Sequence, residues 1–195
     1  MTPGVPGPRD GQAPEPLWSD EVAEVLIDQT RLQTRVRELA QAICADHAGG
    51  DLVLVAVLKG ALVFAADLMR CLPRQVCLEC VCVASYGCGD RPGEAVDLRL
   101  GPSLDLAGRQ VLVVEDIVDT GRTLAALTAR LQAMNPASLR TCCLLDKPSR
   151  REVPFEADYV GFEIPDKFVV GYGLDYREKY RNLRDIGTLA PHVYS

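Results

Sequence analysis

Aromatic residues are scarce, at 6% of the 195 positions, and the 21 Lys and Arg fall short of the 27 Asp and Glu, leaving a formal charge of −6. The scarcity of rings excludes a core built on large aromatics, so Val, Leu and Ala must fill it. The acidic balance argues against a general nucleic-acid binder, because affinity for phosphate backbones comes largely from basic side chains. No apolar run approaches the roughly 20 residues that cross a bilayer. The N-terminus lacks a basic segment followed by an apolar one, the mark of a secretory signal. Internal repeats are absent as well. These absences predict a cytoplasmic protein with no nucleic acid and no membrane as partner. The length and the 48% apolar composition suit one core rather than two.

Cysteine is not scarce: there are 8. Cys77, Cys80, Cys82 and Cys88 lack the two short ligand hooks, separated by a longer stretch, of a structural zinc site. Cys80 and Cys82 alternate with Val81 and Val83, which predicts small buried thiols in a strand. Without an export signal a disulfide framework is not expected.

Residues 1–17 are rich in Pro and Gly and nearly devoid of large apolar side chains, which predicts a disordered tail ahead of a single domain at 18–195. Val25, Leu32, Val36, Leu39 and Ile43 recur at helical spacing, so residues 22–45 read as one or two helices. Continuous apolar runs then alternate with amphipathic stretches. Strands are expected at 52–58, 76–85, 110–114, 139–145 and 159–162, with helices after Lys59-Gly60 and at 123–134. Strands apolar on both faces and separated by helices predict an α/β fold with a parallel sheet covered on both sides. Residues 87–103, with several Gly and Pro, read as a long loop of the kind that is functional or mobile.

The chemistry concentrates where the third strand ends. Glu115-Asp116 is followed by Ile117-Val118-Asp119-Thr120-Gly121-Arg122-Thr123, a short turn leading into a helix. Ligands of open α/β sheets collect at the carboxyl ends of strands. A helix N-terminus with glycine and hydroxyls offers free N–H groups to a phosphate. The turn is too short for a P-loop and lacks its Gly-Lys-Ser/Thr ending. This spacing suits a sugar phosphate, with the acids near the ribose hydroxyls. Lysine is rare, and Lys59, Lys147 and Lys167, three of the four, fall in or beside this region. Where surface cations are nearly always Arg, a Lys marks a place that needs a compact ammonium.

Glu115 to Thr123 closely resembles the phosphoribosyl pyrophosphate motif of type I phosphoribosyltransferases. Val57-Leu58-Lys59-Gly60-Ala61 resembles the pyrophosphate loop of their hypoxanthine-guanine branch, and Ser85-Tyr86-Gly87 the start of its mobile loop, expected near 86–103. The run from Phe162 through Lys167-Phe168-Val169 to Asp175-Tyr176 resembles the purine-binding segment, and Tyr180-Arg181-Asn182-Leu183 and Gly187 to Pro191 also fit, closest to bacterial members. The resemblance runs from about Val22 to the C-terminus. It implies an open, mainly parallel sheet with helices on both faces and a small hood from the C-terminal segment. It also implies a Mg²⁺-dependent salvage reaction in which a purine nitrogen attacks C1 of phosphoribosyl pyrophosphate, forming a nucleoside monophosphate and releasing pyrophosphate through an oxocarbenium-like transition state.

The resemblance assigns roles. Glu115 and Asp116 would hold the ribose hydroxyls, directly or through the waters of Mg²⁺. Asp119 would exchange a proton with purine N7, its pKa raised by burial or neighbouring acids. Asp119, Thr120, Gly121, Arg122 and Thr123 would cradle the 5′-phosphate. Lys59, Gly60 and Arg181 would meet pyrophosphate, with a peptide before Lys59 that can be cis. Lys147 would donate to O6 of a 6-oxopurine, Phe168 would stack on the base, Val169 would contact its edge, and Asp175 would bind a second Mg²⁺. The loop from Ser85 and Tyr86 would close over the site. Homodimers or homotetramers are expected. Two alternatives stay open on sequence: a regulator that binds phosphoribosyl pyrophosphate and controls RNA or DNA, and a transferase for another base such as xanthine or a pyrimidine.

Overall fold

The structure, a computed structural model, describes residues 20–47, 49–84, 97–99 and 104–194. The tail expected at 1–17, Ser85, Tyr86, Cys88 and most of the loop expected at 86–103 lie outside the described residues.

Six strands form the central sheet: β2 (Leu52–Leu58), β3 (Val76–Ala84), β4 (Asp97–Arg99), β5 (Gln110–Val118), β6 (Ser138–Asp146) and β7 (Tyr159–Glu163). Their order is β4-β3-β2-β5-β6-β7, and every pairing is parallel except β3 with β4. The helices are α1 (Gln29–Asp46), α2 (Leu62–Cys71), α3 (Arg122–Gln132) and a single turn, α4 (Pro191–Tyr194). Along β2 and β5 alternate residues face opposite ways, as a pleated strand requires. Leu54, Ala56, Leu112 and Val114 pack with α1 and α2. Val53, Val55, Val111 and Val113 pack with Leu124, Leu127 and Leu131 of α3. Helices therefore cover both faces, as expected, and full burial of each such aliphatic side chain stabilises by roughly 1.5–3 kcal/mol.

Five expectations are corrected. Residues 22–27 are not helical: β1 (Val22–Ile27) is extended and pairs antiparallel with β9 (Ile186–Leu189), which also pairs with β8 (Val169–Val170). These strands form a second sheet, order β1-β9-β8, so the hood draws on both ends of the chain and not on the C-terminal segment alone. The helical spacing holds only from Leu32 onward, because Asp28 starts the helix. Its carboxylate accepts the Arg31 N–H at 2.9 Å while its own backbone stays extended.

The third strand runs on to Val118 rather than ending at Val114, because β6 supplies partners as far as Asp146. Glu115 and Asp116 thus sit within the strand. Within the stretch expected to be loop, Asp97–Arg99 is a short edge strand against β3. Finally, Cys80 and Cys82 are exposed and not buried: among the described residues their side of β3, toward the edge of the sheet, is uncovered, whereas Val81 faces the core. Among the described residues, no three His, Cys, Asp or Glu are grouped to hold a metal, and no helix is long and apolar enough to cross a membrane.

The hood is tied to the body by side chains. Tyr172 Oη donates to Asp67 Oδ2 on α2 at 2.7 Å. Asp185 accepts the Gln29 N–H of α1 at 2.7 Å. These contacts set the hood above the carboxyl edge of the sheet, where β2, β5 and β6 deliver their loops.

Candidate active site

Beyond β5 the chain makes the turn that sequence pattern singled out. Gly121 has a φ of 83°, a left-handed conformation that a side chain resists, and it immediately precedes α3. A Cβ there would lie 3.0 Å from Arg151 and 3.1 Å from Phe155, so space adds to the conformational demand. Gly121 has no side chain to cap α3, and the Arg122 N–H makes only a long 3.4 Å contact with Thr120 Oγ1, which leaves N–H groups of the first turn for an anion. Glu115, Asp116, Asp119, Thr120, Gly121 and Thr123 line a hollow of about 160 Å³ at this point. The Arg122 side chain turns away to Glu152, at 2.6 Å, so this position offers the hollow its backbone. A larger hollow of about 460 Å³ lies between α3 and residues 154–158. Its Asp158 and Thr141 already satisfy each other, at 2.9 Å, and no cation lines it, so it lacks the chemistry of the smaller one.

Glu115 is buried, and burial followed by the neighbouring Asp116 charge pushes its carboxyl well above the ordinary range. Burial also raises Asp116, against the opposing hydrogen bond from Glu115. The pair is thus desolvated together, with Glu115 the more strongly raised of the two acids. Sequence reading expected Asp119 to be the acid perturbed by burial and like charge. Instead Asp119 faces a cation: Arg150 Nε lies 3.2 Å from its carboxylate, which is half exposed.

Two arginines here escaped sequence reasoning. Arg150 holds the Asp119 side chain, and Arg151 donates to the Asp119 carbonyl and pairs with Asp146. The Arg150-Arg151 doublet, shortly after Lys147 in sequence, was the available signal.

The segment after β2 approaches the same place. The Leu58–Lys59 peptide is cis. A Cβ on Gly60 would stand 1.7 Å from Asp116 Oδ2, and one on Gly173 would stand 2.2 Å from the Gly60 carbonyl oxygen. Gly60 is not left-handed, so close approach is what requires glycine there. Lys59 Nζ reaches Glu178 at 3.1 Å. Hydrogen bonds from Lys59 and Arg181 hold the Glu178 carboxyl below its ordinary range.

Arg181 does not present a free fork. One terminal nitrogen donates to the Gly173 carbonyl at 2.8 Å and the other pairs with Asp175 at 2.7 Å, while its Nε is buried without a partner. The Arg181 charge also acts on Asp116, which shows how near the hood lies to β5.

Lys147 follows β6, its N–H bonded to the Val118 carbonyl at 2.9 Å. Its stem is buried, yet the carboxylate it faces, Asp166, is 3.8 Å away. That exceeds a hydrogen bond. Asp166 also lies 3.9 Å from Arg150, so a line of charges links Lys147 to Asp119. Phe168 is 41% exposed, with Tyr194 stacked on it at 5.5 Å and Tyr176 edge-on at 5.4 Å. Val169 is buried in β8 and paired with Thr188 of β9.

The structure thus brings Lys59, Gly60, Asp116, Asp175 and Arg181 into one neighbourhood and Asp119 and Lys147 into an adjoining one. Glu115, Thr120, Gly121 and Thr123 line the hollow between strand and helix. Phe168 and Val169 stand in the hood above.

The family model described as the phosphoribosyl transferase domain matches residues 24–177. The hypoxanthine-guanine phosphoribosyltransferase of Mycobacterium tuberculosis strain H37Rv is 44% identical over 190 residues, covering 94% of each chain. The enzyme of the same name from Staphylococcus aureus strain Mu50 is 44% identical over 178 residues, covering 90% of this chain and 98% of its own. Among solved structures, the hypoxanthine-guanine phosphoribosyltransferase of Bacillus anthracis, with a HEPES molecule in its active site, superposes with a TM-score of 0.82 at 44% identity over 87% of this chain and 100% of its own. A ternary substrates complex of a variant hypoxanthine phosphoribosyltransferase from Trypanosoma cruzi gives 0.85 at 43% identity, over 90% of this chain and 100% of its own. A domain match over most of the sheet and hood, and relatives of this identity along nearly the whole length, lead to one conclusion: the chain belongs to the phosphoribosyltransferase family.

Proposed function

We propose that the chain is a purine salvage transferase that joins hypoxanthine or guanine to phosphoribosyl pyrophosphate, forming IMP or GMP and releasing pyrophosphate. The observation that carries the base assignment is Lys147. A buried lysine is rare unless paired, and this one faces its nearest charge partner at 3.8 Å. An ammonium so placed fits the O6 acceptor of a 6-oxopurine. Adenine, which presents an amino group there, would leave it unpaired, and buried unpaired donors cost binding.

The geometry supports the remaining roles. The free N–H groups at the start of α3, with the hydroxyls of Thr120 and Thr123, suit the 5′-phosphate. The adjacent Glu115 and Asp116 carboxyls suit the two ribose hydroxyls. Lys59 and the Gly60 backbone suit the pyrophosphoryl group, as does Arg181 once released from Asp175. As the purine nitrogen bonds to C1 and the bond to pyrophosphate breaks, the proton on N7 passes to Asp119, which Arg150 holds in place. A base stacked on Phe168 takes the ring face opposite Tyr194, and the Val169 backbone lies at its edge.

The carboxylates Glu115, Asp116 and Asp175 are hard oxygen donors of the kind Mg²⁺ takes in ones and twos alongside substrate oxygens. They fit a cation that arrives with the substrate rather than a closed protein cage. Asp175 would exchange its Arg181 contact for it. Bound there, Mg²⁺ would neutralise charge developing on pyrophosphate.

Initial rates with hypoxanthine, guanine, xanthine and adenine, at fixed phosphoribosyl pyrophosphate and Mg²⁺, test this reading. Hypoxanthine and guanine should turn over and adenine should not. Turnover of adenine alone, or of none, would overturn it.

A further inference from the structure

The two cations suited to pyrophosphate, Lys59 and Arg181, converge on a single carboxylate oxygen. Lys59 Nζ is 3.1 Å and Arg181 Nη2 is 3.4 Å from Oε2 of Glu178. Lys59 comes from the end of β2, 119 residues away in sequence, whereas Glu178 and Arg181 belong to the hood. The contact therefore spans the mouth of the site rather than one element.

The backbone holds Glu178 at this position. Arg177, Glu178 and Tyr180 have φ of 51°, 63° and 73°, left-handed values that residues with side chains adopt only where surrounding structure imposes them. The Glu178 N–H is fixed by Asp175 Oδ2 at 2.8 Å, and the Tyr180 hydroxyl is fixed by Glu21 at 2.6 Å. A strained turn, pinned at both ends, thus aims an acid at both cations.

We propose that Glu178 is an internal competitor for the pyrophosphoryl group: its carboxylate occupies Lys59 and Arg181 in the free protein, and the incoming pyrophosphate end of the substrate displaces it. Glu178 then sets how tightly that end is held and how readily pyrophosphate leaves. Exposure makes the exchange feasible. The Glu178 side chain is 65% and that of Lys59 66% exposed, so the displaced carboxylate moves into water. Ion pairs this exposed are weak, and a multiply charged anion outcompetes them. The proposal rests on the transferase reading for the identity of the anion.

The test uses the full chain with Glu178→Gln, which keeps size and removes charge. Calorimetric titration of pyrophosphate with Mg²⁺ into the substrate-free protein should give a Kd about two- to tenfold below wild type, the scale set by losing the exposed pair with Lys59 and the longer one with Arg181, whose closer partner Asp175 remains. The KM for phosphoribosyl pyrophosphate should fall in parallel, the KM for hypoxanthine should stay constant, and the difference should shrink at high salt. Damage to the turn would act the other way, weakening both substrates. Should Glu178→Gln fail to fold, Glu178→Asp carries the same test, because the shorter side chain draws the charge back from Lys59 and tighter pyrophosphate binding is again expected. Equal or weaker binding in the folded variant overturns the competitor role alone. Failure of wild type and variant alike to bind pyrophosphate overturns the competitor role and the transferase reading together.

Discussion

Gly60, just beyond β2, and Asp116, within the neighbouring strand β5, approach so closely that a Cβ on Gly60 would stand 1.7 Å from Asp116 Oδ2 and 2.5 Å from its Cγ. Gly60→Ala therefore forces the carboxyl or the loop to move. Overpacking of this kind costs about 1–3 kcal/mol, and a displacement of roughly 1 Å at reacting groups can cost about 100-fold in rate. We expect a lower melting temperature and a kcat/KM reduced on the order of 100-fold. Wild-type kinetics in Gly60→Ala would show that the contact has no part in catalysis.

Asp119→Asn keeps the size of the side chain and an oxygen for Arg150 but cannot take the N7 proton. General acid/base groups contribute about 100- to 10,000-fold, so kcat should fall within that range. Binding of phosphoribosyl pyrophosphate should change far less, because the 5′-phosphate relies on N–H groups and hydroxyls of residues 120–123. Single-turnover rates set beside equilibrium binding make the comparison. Unaltered turnover would reduce Asp119 to a partner of Arg150.

Lys147→Gln removes the charge and leaves a side chain able to donate or accept. A hydrogen bond to a charged group is worth about 1.5–3 kcal/mol. The kcat/KM for hypoxanthine should therefore drop roughly 10- to 150-fold, and the ratio of hypoxanthine to adenine should narrow. A ratio that survives intact would place the discrimination elsewhere.

Glu115 couples stability to pH. Its carboxyl lies well above the ordinary value of 4.5 in the folded chain, so the folded state binds the proton more tightly than the unfolded one. The associated stability is fully present below that ordinary value and is lost as pH rises through the folded pKa. In Glu115→Gln this contribution is absent. Thermal melts from acid to neutral pH should show wild type losing stability relative to the variant as pH rises. Parallel curves would mean that the Glu115 proton is not held as the geometry requires.

By itself, the sequence determined the alternating α/β order, the buried parallel strands and the turn at Asp119 to Thr123, because apolar periodicity and the Thr-Gly-Arg-Thr pattern are local properties of the chain. It also determined the list of candidate residues, carried by motifs that need no long-range knowledge. Only the tertiary structure decided that residues 22–27 are extended, since their partners at 186–189 lie at the other end of the chain. It decided the length of β5, which β6 prolongs by supplying hydrogen-bond partners beyond Val114. It decided the exposure of Cys80 and Cys82, which depends on what covers their side of β3. The acids divided in the same way. Their presence is written in the sequence, but Glu115 is desolvated against Asp116 while Asp119 meets Arg150. Burial and charge proximity belong to the fold: a residue's neighbours across the sheet, not along the chain, set the field it feels.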